Sequence, residues 1–269
     1  MPSSPADTIK YLSDYNINCT VIIVGVAESL GDLVRNHESL RRLLTCIPLQ
    51  RMRDDEFSEL IESRLDRASL EIEGPAKLKI LRLSRGLPFY VHTIAKLGCL
   101  AAARSASRRI GVAQVNAAIE QVIDELRQTF CDGVTNMLAG SRGSIFPEVV
   151  LASALADADD DGYFSAKSVA APLSRMLRRQ MKPASFQRHL ADLASDERGR
   201  LLVRRGQPGS HRFRFRDALT QPYVIMDSLC RGLIDEAEAL RRPGIDITAH
   251  ATAPEGDWTY GSARPANMV

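Results

Sequence analysis

The side chains best equipped for chemistry are arginines. Between Arg175 and Arg216 lie twelve basic residues and only three acidic ones, Asp192, Asp196 and Glu197, in a chain of formal net charge +2. Inside that stretch Arg212-Phe213-Arg214-Phe215-Arg216 alternates strictly. Successive side chains of a strand point to opposite faces, so three guanidiniums share one side and two phenyl rings the other. Arginines on the outer face of a hairpin suit phosphate contacts, which makes Arg204, Arg205, Arg212, Arg214 and Arg216 candidates for a nucleic-acid surface. Gln187 and Arg188, on a helix of the same stretch, are the side chains suited to base edges. A solvated face, or a surface that meets another domain or protein, would use the same residues, and the pattern leaves these readings open.

Other chemistries find weaker footing. Asp157-x-Asp159-x-Asp161-Gly162 matches the first half of a calcium loop, but the twelfth position, where a bidentate Glu belongs, is Ser168. The segment is read as a solvated acidic loop. The five cysteines, Cys19, Cys46, Cys99, Cys131 and Cys230, are far apart and form no CxxC pair. They predict reduced, mostly buried thiols rather than a disulfide framework or a zinc site. No Ser/His/Asp or Cys/His arrangement stands out. Apolar content of 45% and charged content of 25% are those of a soluble globular protein. No apolar run approaches the ~20 residues of a membrane span, and MPSSPADTIKYL is not a secretory signal. The expected location is cytoplasmic, with no membrane partner.

The elements that must position these residues are mainly helical. Residues 7–15 read as the end of a helix. Val21-Ile22-Ile23-Val24, stopped by Gly25, reads as a strand buried on both faces. Residues 28–44 form amphipathic turns. Four helices follow: one capped by Asp54 or Asp55 with Phe57, Leu60, Ile61 and Leu65 inward, one around 78–83, one opening at Pro88, and one over 112–130. Joined by short turns, they predict a small bundle. After a boundary near Gly140–Gly143 come a helix over 145–156, a helix capped by Ser165, and a helix started by Pro183. Residues 201–203 and 212–216 flank the turn Gly206-Gln207-Pro208-Gly209, a hairpin signal. Three helices followed by a hairpin is the order of a winged helix-turn-helix. A last helix is expected over 218–241, and a disordered tail over 243–269.

This order resembles the C-terminal part of an AAA+ ATPase of the origin-recognition-like and bacterial AAA (P-loop NTPase) branch. DTIKYLSDYNINCTVIIVGVAES resembles the helix and strand leading to the sensor-1 segment. HESLRRLLTCIPLQRMRDDEFSELI resembles the arginine-finger region and first lid helix. GLPFYVHTIAKLGCLAAA resembles the lid helix that opens with the sensor-2 Gly-x-Pro, and FRFRDALTQPYVIM the end of the winged helix. The resemblance implies a remnant of an α/β P-loop NTPase core over 1–52, a helical lid over 53–130 and a winged-helix domain over 131–242. It implies arginine-finger candidates at Arg41 and Arg42, and nucleotide contacts at Glu28, Ser29, Gly86 and Pro88. Departures are substantial. The chain holds no GxxxxGK[ST] and no apolar run ending in Asp-Glu, so the phosphate loop and the Mg-holding carboxylate are missing. Sensor 1 falls in Ala27-Glu28-Ser29, and Phe89 stands where an arginine often follows Gly-x-Pro. The family's cofactor is ATP with Mg. This chain is expected to be a C-terminal piece of an ATP-driven switch, neither hydrolysing ATP by itself nor binding it tightly. The alternatives are a duplex-DNA-binding module, or an adaptor that meets a protein partner or another copy of itself.

Overall fold

A computed structural model describes residues 5–15, 17–22, 45, 47, 51–129, 144–159, 161–207 and 209–241. The chain divides into two compact units, Met1–Gln50 and Arg51–Val269.

In the first unit, α1 spans Pro5–Asp14, and the rings of Tyr11 and Tyr15 lie 4.5 Å apart, centroid to centroid. The buried strand expected at 21–24 is not found in its described half. Val21 and Ile22 belong to neither helix nor strand and are 48% and 83% exposed. A β-branched run becomes a strand only when a sheet receives it, and among the described residues no strand pairs with these two. Ile23 and Val24 lie outside the described residues, as do the turns expected at 28–44, the boundary at 140–143 and the tail from 243.

The second unit is mainly α. Helix α2 covers Asp54–Arg67, where Glu56 accepts a hydrogen bond from the Arg53 N–H at 2.8 Å and so satisfies one of the free amides at the helix start. Helix α3 is Gly74–Ser84, α4 Pro88–Arg104 and α5 Val112–Thr129. Their inward stripes build one core, among them Phe57, Ile61, Ile80, Leu83, Tyr90, Ile94, Ile119 and Val122. Two strands too short to carry a periodic signal, β1 (Glu71–Ile72) and β2 (Arg109–Ile110), pair in parallel beside the helices.

The remaining elements follow in the order α6 (Phe146–Leu155), β3 (Phe164–Ser165), α7 (Ala166–Leu177), α8 (Pro183–Leu193), β4 (Leu202–Arg205), β5 (Arg212–Phe215), α9 (Thr220–Cys230) and α10 (Glu236–Leu240). Ser165 caps α7 as expected, its Oγ accepting from the Ser168 N–H at 3.2 Å. The sheet is antiparallel with strand order β3-β5-β4. Strand β3 was not foreseen; the hairpin was. The single helix expected over 218–241 is two. Helix α9 ends in a six-to-one turn, with Leu233 N–H on Ser228 O at 2.9 Å and Gly232 N–H on Leu229 O at 3.0 Å. Gly232, at φ 68°, supplies the left-handed residue this turn requires.

Helix α9 is buried over Gln221–Ser228 and packs on α3, α5 and α6. The Tyr90 hydroxyl donates to Leu219 O at 2.6 Å, and Gln221 donates to Ala154 O at 3.0 Å. Asp227 is 0% exposed; its Oδ1 accepts hydrogen bonds from Arg127 of α5, and Arg231 forms an ion pair with its Oδ2 at 2.9 Å without hydrogen-bond geometry. That hydrogen bond to Asp227 pushes the Arg127 pKa up, so its charge is fixed. Helix α10 is held by ionic contacts. Lys79 meets Glu236 at 2.9 Å, and the Arg85 guanidinium donates to Ala239 O and Arg241 O at the helix end, where free carbonyls favour a cation.

Of the described cysteines, Cys19 and Cys230 are exposed and Cys99 is half-buried; none is bonded. The expectation of a buried thiol is not met at Cys19 and Cys230, and Cys46 and Cys131 lie outside the described residues. Cys19 precedes a stretch without regular structure, and Cys230 is the last residue of α9. Among the described residues no helix is long and apolar enough to cross a membrane.

Candidate nucleic-acid interface

The β4–β5 hairpin forms because its two strands alternate in step. Cross-strand partners are Leu202 with Phe215, Val203 with Arg214, Arg204 with Phe213 and Arg205 with Arg212. Phe213 and Phe215 are buried, as their alternation required, and meet Phe164 of β3 at centroid distances of 6.3 and 6.2 Å. Each buried phenyl side chain contributes about 1.5–3 kcal/mol. A slip by one residue would put both rings in water and the arginines in the core, so this register is strongly specified.

The opposite face carries Arg205, Arg212 and Arg214, whereas Arg204, paired with Phe213, stands exposed on the face of the rings; the arginines are not equally available. Tyr163 lies beneath them, with Arg214 4.9 Å and Arg205 5.9 Å from its ring centroid. Arg214 is half-buried, and its Nε is buried without a hydrogen-bond partner among the described residues. Arg212 pairs with Asp159 at 3.0 Å and donates to Tyr163 O at 3.1 Å. Gly162 (φ 81°) lets the loop pass in van der Waals reach of Arg51 and Arg214; a Cβ there would lie 3.5 Å from the Arg51 Nη2.

Helix α8 packs on α7, α6 and β4. Pro183 opens it, and Phe186, Leu190 and Leu193 form its buried stripe. Gln187 and Arg188 fall off that stripe and are exposed. His189 is turned to α6, its ring 4.7 Å from Phe146. The α7–α8 connection adds Arg178, Arg179 and Lys182, all exposed, with Arg178 in the left-handed conformation that ends α7. Among the described residues, Arg178, Arg179, Lys182, Arg188, Arg204 and Arg216 pair with no carboxylate. The sequence candidates thus separate. Gln187, Arg188, Arg204 and Arg216 are exposed and open, whereas Arg205, Arg212 and Arg214 are engaged around Tyr163 and Asp159. Sequence reasoning missed Tyr163 and Asp159 as members of this surface. Tyr163 stands two residues before Ser165, so the alternation of β3 extended backwards would have put it on the arginine face.

The nucleotide-contact candidates fare differently. Glu28, Ser29, Arg41 and Arg42 lie outside the described residues. Gly86 and Pro88 each have a folding role. Gly86 has φ 80°, its carbonyl accepts from the Met52 N–H at 3.1 Å, and an added Cβ would sit 2.8 Å from Arg51 Cβ. Pro88 opens α4, where its missing N–H costs nothing. Among the described residues no group of His, Cys, Asp or Glu is placed to hold a metal ion. No family model matches this chain, and no curated protein shows significant similarity to it.

Proposed function

We propose that residues 144–241 are a winged helix-turn-helix that binds duplex DNA, with α8 in the major groove and the β4–β5 hairpin on the adjoining backbone. The observation that carries this reading is the juxtaposition of topology and charge. The order α6-β3-α7-α8-β4-β5 with sheet order β3-β5-β4 puts the third helix against the hairpin. Exposed cations without a carboxylate partner among the described residues, Arg178, Arg179, Lys182, Arg188 and Arg204, belong to those two elements and the turn between the helices. Phosphate contacts from such residues release counterions, and Gln187 and Arg188 supply the donors and acceptor that a base edge requires.

The bundle of α2 to α5 before this module supports the resemblance to the lid of an AAA+ ATPase. On that reading the chain is the lid and DNA-binding part of an ATP-driven switch.

Fluorescence anisotropy of the full chain with labelled duplex DNA tests the proposal. Binding should weaken steeply as salt rises, by about 0.9 in log affinity per log salt for each phosphate contacted. Absence of binding at low salt, where counterion release helps most, overturns it.

A further inference from the structure

Arg205 and Arg212 are directly opposed across the hairpin, and like charges in that position repel. An anion belongs between or beside them. Asp159 fills that place, with Oδ2 3.0 Å from the Arg212 guanidinium. Its other oxygen accepts the Tyr163 N–H at 2.7 Å, and its own carbonyl accepts the Gly162 N–H at 2.8 Å. The carboxylate is therefore positioned by its own turn and would stay in place without Arg212. Both partners remain open to water, Arg212 at 50% and Asp159 at 36% exposure, so another anion can reach the guanidinium. Arg205 and Arg214 lie over Tyr163. Arg212 alone among the three is held by an acid.

Resting on the DNA-binding reading above, we propose that Asp159 is an internal competitor for nucleic-acid phosphate at Arg212. In the free chain the acid neutralises Arg212. When DNA docks, the carboxylate, held on its turn, keeps the guanidinium and repels the incoming phosphate. Asp159 thus keeps affinity lower than the arginine count implies and makes Arg212 a latent contact.

The test uses anisotropy of the full chain over a range of salt, with wild type, Asp159→Asn, Asp157→Asn, Arg212→Gln and the Asp159→Asn/Arg212→Gln double variant. Asparagine keeps an oxygen for the Tyr163 N–H, so the turn is preserved. Because an exposed pair is worth little, Asp159→Asn should bind about two- to fivefold tighter. Its salt slope should steepen by about 0.9, as one more phosphate is neutralised. Asp157→Asn, which removes an exposed charge without touching the pair, should change affinity less. Arg212→Gln should bind within about twofold of wild type, because the lost contact is one already discounted by Asp159. The double variant should lose the gain. A gain no larger than that of Asp157→Asn, or one that survives the loss of Arg212, overturns the proposal. Arg188→Glu separates the two levels. If it abolishes binding while Asp159→Asn equals wild type, the DNA-binding reading stands and this inference falls. If wild type binds no DNA, both fall.

Discussion

Replacing Gly86 by alanine would place a methyl carbon 2.8 Å from Cβ of Arg51 and 3.1 Å from the carbonyl oxygen of Met52. Neither neighbour can swing aside, because one is backbone and the other is the first side-chain atom on it. The backbone at Gly86 also has φ 80°, where an L-residue costs about 1–2 kcal/mol. Overpacking of a closed contact adds about 1–3 kcal/mol. The sum, about 2–5 kcal/mol, should appear in urea denaturation as a lower midpoint with an unchanged slope. Gly74 is the control. A Cβ there meets nothing within 4 Å, so Gly74→Ala should stay within about 0.5 kcal/mol of wild type or slightly above it. A Gly86→Ala chain that loses less than about 1 kcal/mol would refute the claim that Gly86 is needed for the approach of segment 51–52 to the turn before α4. It would leave nucleotide contact as the better account of that glycine.

Four further outcomes follow from the same observations. Arg127→Met leaves buried Asp227 with Arg231 alone and should cost toward the lower end of the ~3–5 kcal/mol typical of a broken buried pair, read by thermal or urea unfolding. Arg188→Glu should weaken duplex binding at low salt by about tenfold or more and reduce the salt slope, without shifting the unfolding midpoint, since Arg188 is exposed. Purified chain should give no Mg-dependent ATP turnover above background in a phosphate-release assay, for want of a phosphate loop. In timed alkylation at neutral pH, read by mass spectrometry, Cys19 should react before Cys99 and Cys230. Partial burial pushes the Cys99 thiol up, and partial burial of the sulfur together with the Glu120 and Asp227 carboxylates does the same for Cys230 although that residue is exposed as a whole; a raised thiol pKa means less thiolate at that pH and a reaction that accelerates only in more alkaline solution.

The sequence was most legible where a local rule is complete within a few residues. Pro88 and Pro183 open α4 and α8 where expected, and the alternation of residues 212–215 announced both the strand and the side on which each ring lies. Two-residue strands such as β1, β2 and β3 have no period to detect, and they exist because the helices around them bring their backbones together. The break after α9 was hidden because Leu229, Leu233 and the alanines beyond continue a helical spacing, while Gly232 alone turns the chain. The site was legible as a charge excess but not as a choice among arginines. Which guanidiniums are open depends on the pairing of Arg205 with Arg212 and on Asp159 and Tyr163, contacts set by register and by a loop about 50 residues away in sequence, as the Arg212 bond to Tyr163 spans 49 positions. Alternation back from Ser165 would give the face of Tyr163, but nothing local signals which guanidiniums it and Asp159 engage. The strand expected at Val21–Val24 rested on a β-branched run stopped by Gly25 and on the sensor-1 resemblance, and neither supplies a neighbouring strand for the described Val21 and Ile22.

Helix α9 decides how binding at the basic surface would be felt elsewhere in residues 51–241. Its residues Gln221–Ser228 are all buried, so it has no solvent face along which to slide. It is tied to the bundle near one end by the Tyr90 hydroxyl and near the other by the Arg127–Asp227 pair, and to α6 by Gln221. Arg51 adds a brace, donating to both Gln221 Oε1 and Arg85 O. A hinge needs a segment with few buried contacts and unpaired backbone, and none of these properties holds here. The apolar core runs without interruption from Phe57 of α2 to Phe213 of β5. Helix α8 and the hairpin are therefore coupled to α2 to α5 as parts of one body. On the proposed reading, DNA held at Arg188 and Arg204 would turn with the bundle rather than against it.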